Sequence, residues 1–482
     1  MANRKAENRS PIEVAVEEQN FRWVPEREPR REAAGGRTPA PASGEGPLSA
    51  GSRRGLDWLL FFVADIQTGF GPFVAVFLTT QKWTQVDIGL ILTIGGFVSL
   101  GGQIPLGILV DRVRSIRAAA AVSLVLIASC AFAFAAWPVF PVVLLSRVVH
   151  AAASSVLGLA IVSLSVRLTR TEHIGERLGR NAAFASAGTG IAAAVMGAAG
   201  YYFSSHAVFF LAAALALPAF YALSRIRPEE IAAPPATIAA PGSRSNFISG
   251  FLALARNRAL VLFAACVMMF HLANAAMLPL AASVLTMRSR EAATVMVAAA
   301  LVVPQFTVTV LSPFVGRGAE YWGRRLLLLL GFAALVARGV LFSTVSNPEI
   351  LVLIQVLDGI SGAILGVLVP LIIVDVAHSS GHFNLAQGTI GCAMGIGASI
   401  STTLAGFIAD DFGSQTAFRA LAVIAAAGFL LVLLVMPETR PRHRRAFKSD
   451  HDDTRRDAAL ERDRIGSRDR HSRPPEGRGR NP

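Results

Sequence analysis

Twelve apolar runs, separated by charged or Pro/Gly-bearing breaks, fill the middle of the chain. They lie at Leu56–Thr79, Ile88–Val110, Ala118–Trp137, Phe140–Leu164, Ala182–Phe203 and Ala207–Leu223. After a polar break come Ala259–Val284, Ala292–Val315, Leu326–Val345, Ile350–Val374, Gly388–Ala409 and Ala417–Val435. Runs of about 20 residues match the hydrocarbon thickness of a bilayer and exceed what a soluble core uses. The pattern predicts an all-α polytopic membrane protein with twelve transmembrane helices. The break "SRIRPEEIAAPPATIAAPGSRSN" (Ser224–Asn246) holds four prolines and divides the helices six and six. The expected organisation is a tail at 1–55, a six-helix bundle at 56–223, a linker at 224–258, a second bundle at 259–436 and a tail at 437–482. Both tails are polar and densely charged, a composition that does not fold. Residues 1–55 contain no cleavable signal, so the first run is expected to act as the insertion signal.

Charge orients these helices. With the N-terminus inside, the inner loops carry fifteen Lys/Arg: Arg112, Arg114, Arg117, Arg167, Arg170, Arg177, Arg180, Arg225, Arg227, Arg244, Arg256, Arg258, Arg317, Arg324 and Arg325. The outer loops carry four: Lys82, Arg288, Arg290 and Arg419. The asymmetry predicts both termini in the cytoplasm of a multi-pass protein of the plasma (inner) membrane. The net charge of +13 is no nucleic-acid footprint. Of 45 Lys+Arg, ten precede Leu56 and 14 follow Pro437, where acids are also frequent. These tails are expected to be solvated near anionic lipid.

The two halves repeat. The loop after the second run, "GILVDRVRSIR" (Gly107–Arg117), matches "GRGAEYWGRR" (Gly316–Arg325) after the eighth. Gly107 and Gly316 are 209 positions apart, as are Asp111 and Glu320. A six-helix unit has been duplicated, the architecture of transporters that bind solute near the midplane.

"GILVDRVRSIR" resembles the loop 2–3 signature of the major facilitator superfamily, with Gly107, Leu109, Asp111 and Arg112 in matching positions. Arg114 stands where the family has a second Gly, and Ser115 and Ile116 interrupt the basic pair. The second copy keeps Gly316, Ala319, Gly323, Arg324 and Arg325, with Glu320 for Asp. The resemblance covers about Leu56 to Arg440. It implies two bundles that rock about a central site, and a cytoplasmic gate at Gly107, Asp111, Arg112, Gly316, Glu320 and Arg324 that latches the outward-facing state. "LLSRVVHAAASS" (Leu144–Ser155) is similar to the family's helix 4 signature. Arg147 matches a residue tied to proton coupling, and His150 replaces a Gln. The glycine–proline pattern of family antiporters is absent from the fifth run.

Ionisable residues inside the runs and away from their ends are few: Asp65, Arg147, Arg338 and Asp358, joined by His150 and His271; the other charges lie at helix ends, in loops or in tails. A charge there costs roughly 3 kcal/mol on insertion scales and so marks function by default. Arg338 and Asp358 both lie roughly 10–12 Å below the outer boundary at ~1.5 Å per residue. Their runs form a hairpin, which predicts an ion pair or a pair bridged by substrate. Asp65 and His150 reach mid-depth, with Arg147 one turn outward. The three are expected to form one cluster, Asp65 being a proton carrier, a direct substrate contact or a structural partner of Arg147. "QTGFGP" (Gln67–Pro72) should loosen the helix just above Asp65. Asn274 stands 209 residues after Asp65 as its counterpart, with His271 one turn away.

The reading is a secondary active transporter of a small organic solute, proton-coupled, working by alternating access as a monomer in membrane lipid. The alternatives are a drug or metabolite efflux antiporter and a non-transporting membrane sensor. The only lysines are Lys5, Lys82 and Lys448, so no phosphate-loop motif exists. No metal-ligand spacing, nucleophile motif or cofactor motif occurs; His378 and His382 flank Gly381 in a loop, and Cys130, Cys266 and Cys392 lie in separate runs. The expectation is no enzyme, no cofactor, no metal and no nucleic-acid partner. The hairpin pair and "PETRPR" (Pro437–Arg442) resemble sugar–proton symporters, but the scarcity of Trp and Tyr disfavours a sugar. An organic anion held by Arg147 and Arg338 and a hydrophobic drug stay open.

Overall fold

The computed structural model describes residues 49–70, 72–231, 256–289, 293–377 and 383–440. The expected tails before Ser49 and after Arg440, the linker from 232 to 255, and His378 and His382 lie outside the described residues. Among the described residues, twelve helices are long and apolar enough to cross a bilayer. Spans 1 to 6 are Ala50–Thr80, Val86–Arg112, Ile116–Ala136, Phe140–Arg167, Ile174–Tyr202 and Ser205–Ser224. Spans 7 to 12 are Arg258–Leu285, Met296–Trp322, Arg324–Thr344, Pro348–Ala377, Phe383–Phe412 and Ser414–Leu434. No strand occurs among the described residues.

Local sequence sets the ends. Thr84, Ser115, Ser204 and Asn257 each accept a hydrogen bond from a backbone N–H two or three residues on, opening spans 2, 3, 6 and 7. Such caps satisfy donors that a helix start leaves unpaired. Spans 9 and 12 instead follow Gly323 (φ +88°) and Gly413 (φ +84°), in turns that a residue with a Cβ enters only under strain. Span 1 begins at Ala50, ahead of the expected Leu56. Ser49 accepts from Ser52 N–H at 3.2 Å and donates through its hydroxyl to Glu230 at 3.1 Å. Arg53 and Arg54 ended the apolar run, yet they sit exposed on the same helix. Charge marks where the membrane ends; capping marks where the helix does.

Two spans are interrupted. Span 1 runs as Ala50–Gly69 and Pro72–Thr80, and span 7 as Arg258–Asn274 and Met277–Ser289. In span 1 the interruption falls in the Gly/Pro stretch above Asp65. Proline opens the outer piece because it has no N–H to give the preceding turn.

Each set of six spans has its own apolar core. The first is built from residues such as Leu59, Phe77, Phe134, Leu164 and Phe209. The second contains Phe263, Phe332, Leu335, Leu368 and Phe418, and takes in Ile174 and Leu178 from span 5. The halves touch mainly through span 2 against span 11 and span 5 against span 8. Close approach there depends on glycine. A Cβ on Gly107 would stand 2.5 Å from the Asn384 carbonyl oxygen, and one on Gly316 would strike the carbonyl of Gly175. These contacts lie at the end of the molecule that carries the loops after spans 2 and 8. Toward the other end, Gly89 and Gly197 face nothing within 4 Å.

Candidate functional site: a charge network in each half and one closed end

In the second half, Arg338 of span 9 is fully buried and is the centre of a network. Its Nη1 donates to Asp358 Oδ1 at 2.7 Å and to Asn274 Oδ1 at 2.6 Å. Its Nε and Nη2 donate to Gln355 Oε1 at 3.1 and 2.7 Å. Gln355 in turn donates to the carbonyl of Ala300 at 3.1 Å. Spans 7, 8, 9 and 10 thus meet at one guanidinium, whose planar fork suits several acceptors at once. The Asp358 side chain is 19% exposed and that of Arg338 0%, so the carboxylate is the open face of the pair. His271 lies outside this network, edge-on to Phe270 at 5.6 Å.

In the first half the expected cluster of Asp65, His150 and Arg147 does not form. His150 Nε2 and Ser154 Oγ both donate to Gln67 Oε1 at 3.1 Å, and Gln67 Nε2 donates to Ser154 Oγ at 2.9 Å. The His150 ring stacks on Phe70 with centroids 3.7 Å apart. Arg147 Nη1 donates to the Phe70 carbonyl at 3.1 Å, beside the interruption of span 1. Gly95 of span 2 lies against the Arg147 side chain, 2.8 Å from where a Cβ would stand.

Helical phase explains the miss. Asp65 and Gln67 are two residues, or about 200°, apart around span 1, so only one of them can face span 4. Phe61, Asp65 and Gly69 share a stripe, at four-residue spacing. Gly188 of span 5 packs on the Phe61 backbone, and Gly69 packs on Met196 of span 5. Asp65 therefore faces span 5 near Ala192. It is buried, and its Oδ1 has no hydrogen-bond partner.

The closed end carries the loop residues. Asp111 accepts from Asn384 N–H at 3.2 Å, Asn384 Nδ2 at 2.7 Å and Leu385 N–H at 3.1 Å. It sits at the N-terminus of span 11, where a carboxylate complements the helix dipole. Ser163 of span 4 donates to Asn384 Oδ1 at 2.6 Å, so Asn384 ties span 11 to two spans of the first half. Arg112 is exposed beside it. In the second copy Gly316 meets Gly175 across the halves, while the side-chain charges pair within their own half. Arg324 Nε donates to Asp375 Oδ2 at 2.9 Å, and its Nη1 donates to Ala319 O at 2.7 Å and to Glu320 Oε2 at 3.5 Å. Glu438, in the "PETRPR" segment, accepts from the N–H groups of Arg324 and Arg325 at 2.9 and 3.1 Å and so caps span 9.

Sequence reasoning passed over several participants. Asp57 is buried and paired with Arg177 at 2.5 Å and Arg180 at 2.7 Å, joining spans 1 and 5. By position it is one of the helix-end charges, and nothing in the sequence signals its burial. Gln355, Asn384 and Ser154 are neutral and give no hydropathy signal. The spacing from Arg338 could have found Gln355, which lies one turn before Asp358 on the same face of span 10. No group of three or more His, Cys, Asp or Glu able to hold a metal occurs among the described residues.

The Major Facilitator Superfamily model matches residues 57–304 and 273–463. An uncharacterised MFS-type transporter of Mycobacterium tuberculosis, found in two strains, is 38% identical over 389 residues, covering 80% of this chain and 93% of that protein. Among solved structures, the Escherichia coli fucose:proton symporter superposes with a TM-score of 0.64 at 18% identity, covering 79% of this chain and 97% of that one. The human organic anion transporter MFSD10 gives 0.62 at 16% identity, covering 80% and 100%. At such identities the likeness is one of fold.

Proposed function

Because the chain belongs to the Major Facilitator Superfamily, we propose that it is a proton-coupled secondary transporter moving a small organic solute across the plasma membrane by alternating access. It works as a monomer in lipid with both termini in the cytoplasm. The fifteen-to-four distribution of loop arginine and lysine supports that orientation. The closed end is then cytoplasmic and the conformation outward-facing. Rocking of the two bundles would part Asp111 from Asn384 and Gly316 from Gly175, and close the opposite end.

The observation that carries the proton-coupled reading is Asp65. A carboxyl group with an unsatisfied buried oxygen is expensive to keep in an apolar helix contact. Its proton occupancy responds to any change in solvent access or neighbouring charge, and span 5, which it faces, packs against span 8 of the other half. Asp358 supplies the solute contact, because its side chain is the accessible member of the second network. Arg338 holds it from behind.

The test is proton movement in proteoliposomes holding the wild type or Asp65→Asn, with organic acids and cationic drugs added one at a time. A solute-triggered pH change that vanishes in the variant is the expected result, and its sign distinguishes symport from antiport. Coupled flux that survives in Asp65→Asn would remove Asp65 from the mechanism.

A further inference from the structure

A cavity of about 610 Å³ opens between the inner ends of spans 3, 4 and 6, away from the interface of the two halves. Its wall includes Arg114, Arg117 and Arg167, the first residues of span 3, and the apolar side chains of Phe220 and Leu223. None of its lining residues is acidic. Span 3 starts here: Ser115 accepts from Ala118 N–H at 3.2 Å and the helix runs for 21 residues behind it. A helix N-terminus of this length presents unpaired N–H groups and partial positive charge to whatever lies before it. Arg117 Nη2 donates to the Ser224 carbonyl at 3.4 Å, which joins spans 3 and 6 across the wall. Arg167 also feels the charge of Asp111, whose carboxylate accepts from the N-terminus of span 11.

Three arginines and a helix N-terminus border a space whose remaining wall, Ser115 and Ser224 aside, is apolar. Topology needs positive charge on this side but not a cavity, and arginine's planar fork suits phosphate oxygens in particular. The cavity lies at the ends of spans 3, 4 and 6, the depth at which headgroups meet acyl chains when these spans cross a bilayer. We propose that it is a binding site for the phosphate-bearing headgroup of an anionic phospholipid of the inner leaflet, with Phe220 and Leu223 against the start of the acyl chains. The assignment of leaflet rests on the cytoplasmic-termini orientation above; binding itself does not depend on transport. An occupied site would tie span 3 to spans 4 and 6 and stabilise the first bundle as a unit.

The test is native mass spectrometry of the full chain released from phosphatidylcholine nanodiscs doped with phosphatidylglycerol. The wild type should retain phosphatidylglycerol in preference to phosphatidylcholine. Arg114→Gln/Arg117→Gln should lower that retention roughly tenfold or more, at ~1 kcal/mol for each arginine near the surface. Ala121→Phe, which fills the cavity and keeps every arginine, should do the same and so covers the case in which the charge variant folds poorly. Arg53→Gln/Arg54→Gln removes equal charge from the same face and should retain the lipid. Equal retention in the cavity variants, or equal loss in that control, would overturn the proposal. Inorganic phosphate that raises the melting temperature of wild type but not of Arg114→Gln/Arg117→Gln, without lipid preference, would reassign the site to a soluble phosphate compound and also overturn it.

Discussion

Arg338 grips Asp358 at 2.7 Å from a position sealed from solvent, while the carboxylate keeps part of its surface open. The pair is asymmetric in access although symmetric in charge. Gln355 and Asn274 share the guanidinium, so its donors stay occupied even when Asp358 engages something else. A solute arriving at this point meets an acid whose counter-ion is already in place.

Removing one partner should therefore hurt more than removing both. Arg338→Met leaves Asp358 without its counter-ion and is expected to destabilise the protein by about 3–5 kcal/mol. Arg338→Met/Asp358→Leu should recover most of that loss. Thermal unfolding in detergent measures the difference, and both variants should be inactive in proteoliposome flux.

Asp57 makes a parallel case. It neutralises Arg177 and Arg180 between spans 1 and 5. Asp57→Asn should cost about 3 kcal/mol, since it leaves Arg177 buried without a carboxylate. A further Arg177→Met change should restore part of the stability. An Asp57→Asn melting temperature equal to wild type would show that the triad is held by solvent after all.

Gly107 tests the closed end. A valine there would meet the Asn384 carbonyl oxygen and push span 2 from span 11. Overpacking of 1–3 kcal/mol should shift the equilibrium toward opening by about tenfold or more. In a background without Cys130, Cys266 and Cys392, the buried Ser312→Cys should then label faster with a membrane-impermeant thiol reagent. Unchanged labelling would mean that the approach of these spans does not govern access.

Asn384 gives the finer version of that experiment. It bridges Ser163 and Asp111. Asn384→Ala should weaken the closure by about 1–3 kcal/mol, since it leaves polar partners unsatisfied, and should raise Ser312→Cys labelling less than Gly107→Val does. Asn384→Asp, which sets two carboxylates together, should open it further than Asn384→Ala.

The twelve spans were legible because a bilayer imposes one length and one polarity on every crossing. The Arg338–Asp358 pair was legible because a hairpin places residues at equal depth side by side. Asp65 was misplaced because depth was counted and helical phase was not, and Gln67 holds the face toward span 4. Asp57 was missed because a charge near a helix end looks solvated until the neighbouring helix is known. Gln355 and Asn384 carry no charge, and in a sequence they look like any other polar residue.

The interruption of span 1 has a mechanical consequence. A continuous helix transmits tilt along its whole length, whereas Ala50–Gly69 and Pro72–Thr80 are two short rods joined at Phe70. Arg147 grips the joint from span 4 at the Phe70 carbonyl, and His150 lies flat against the Phe70 ring. The joint is a clamped elbow: the nine-residue outer rod can take a tilt of its own, set by Arg147 and His150 of span 4, while Asp57 ties the inner rod to span 5.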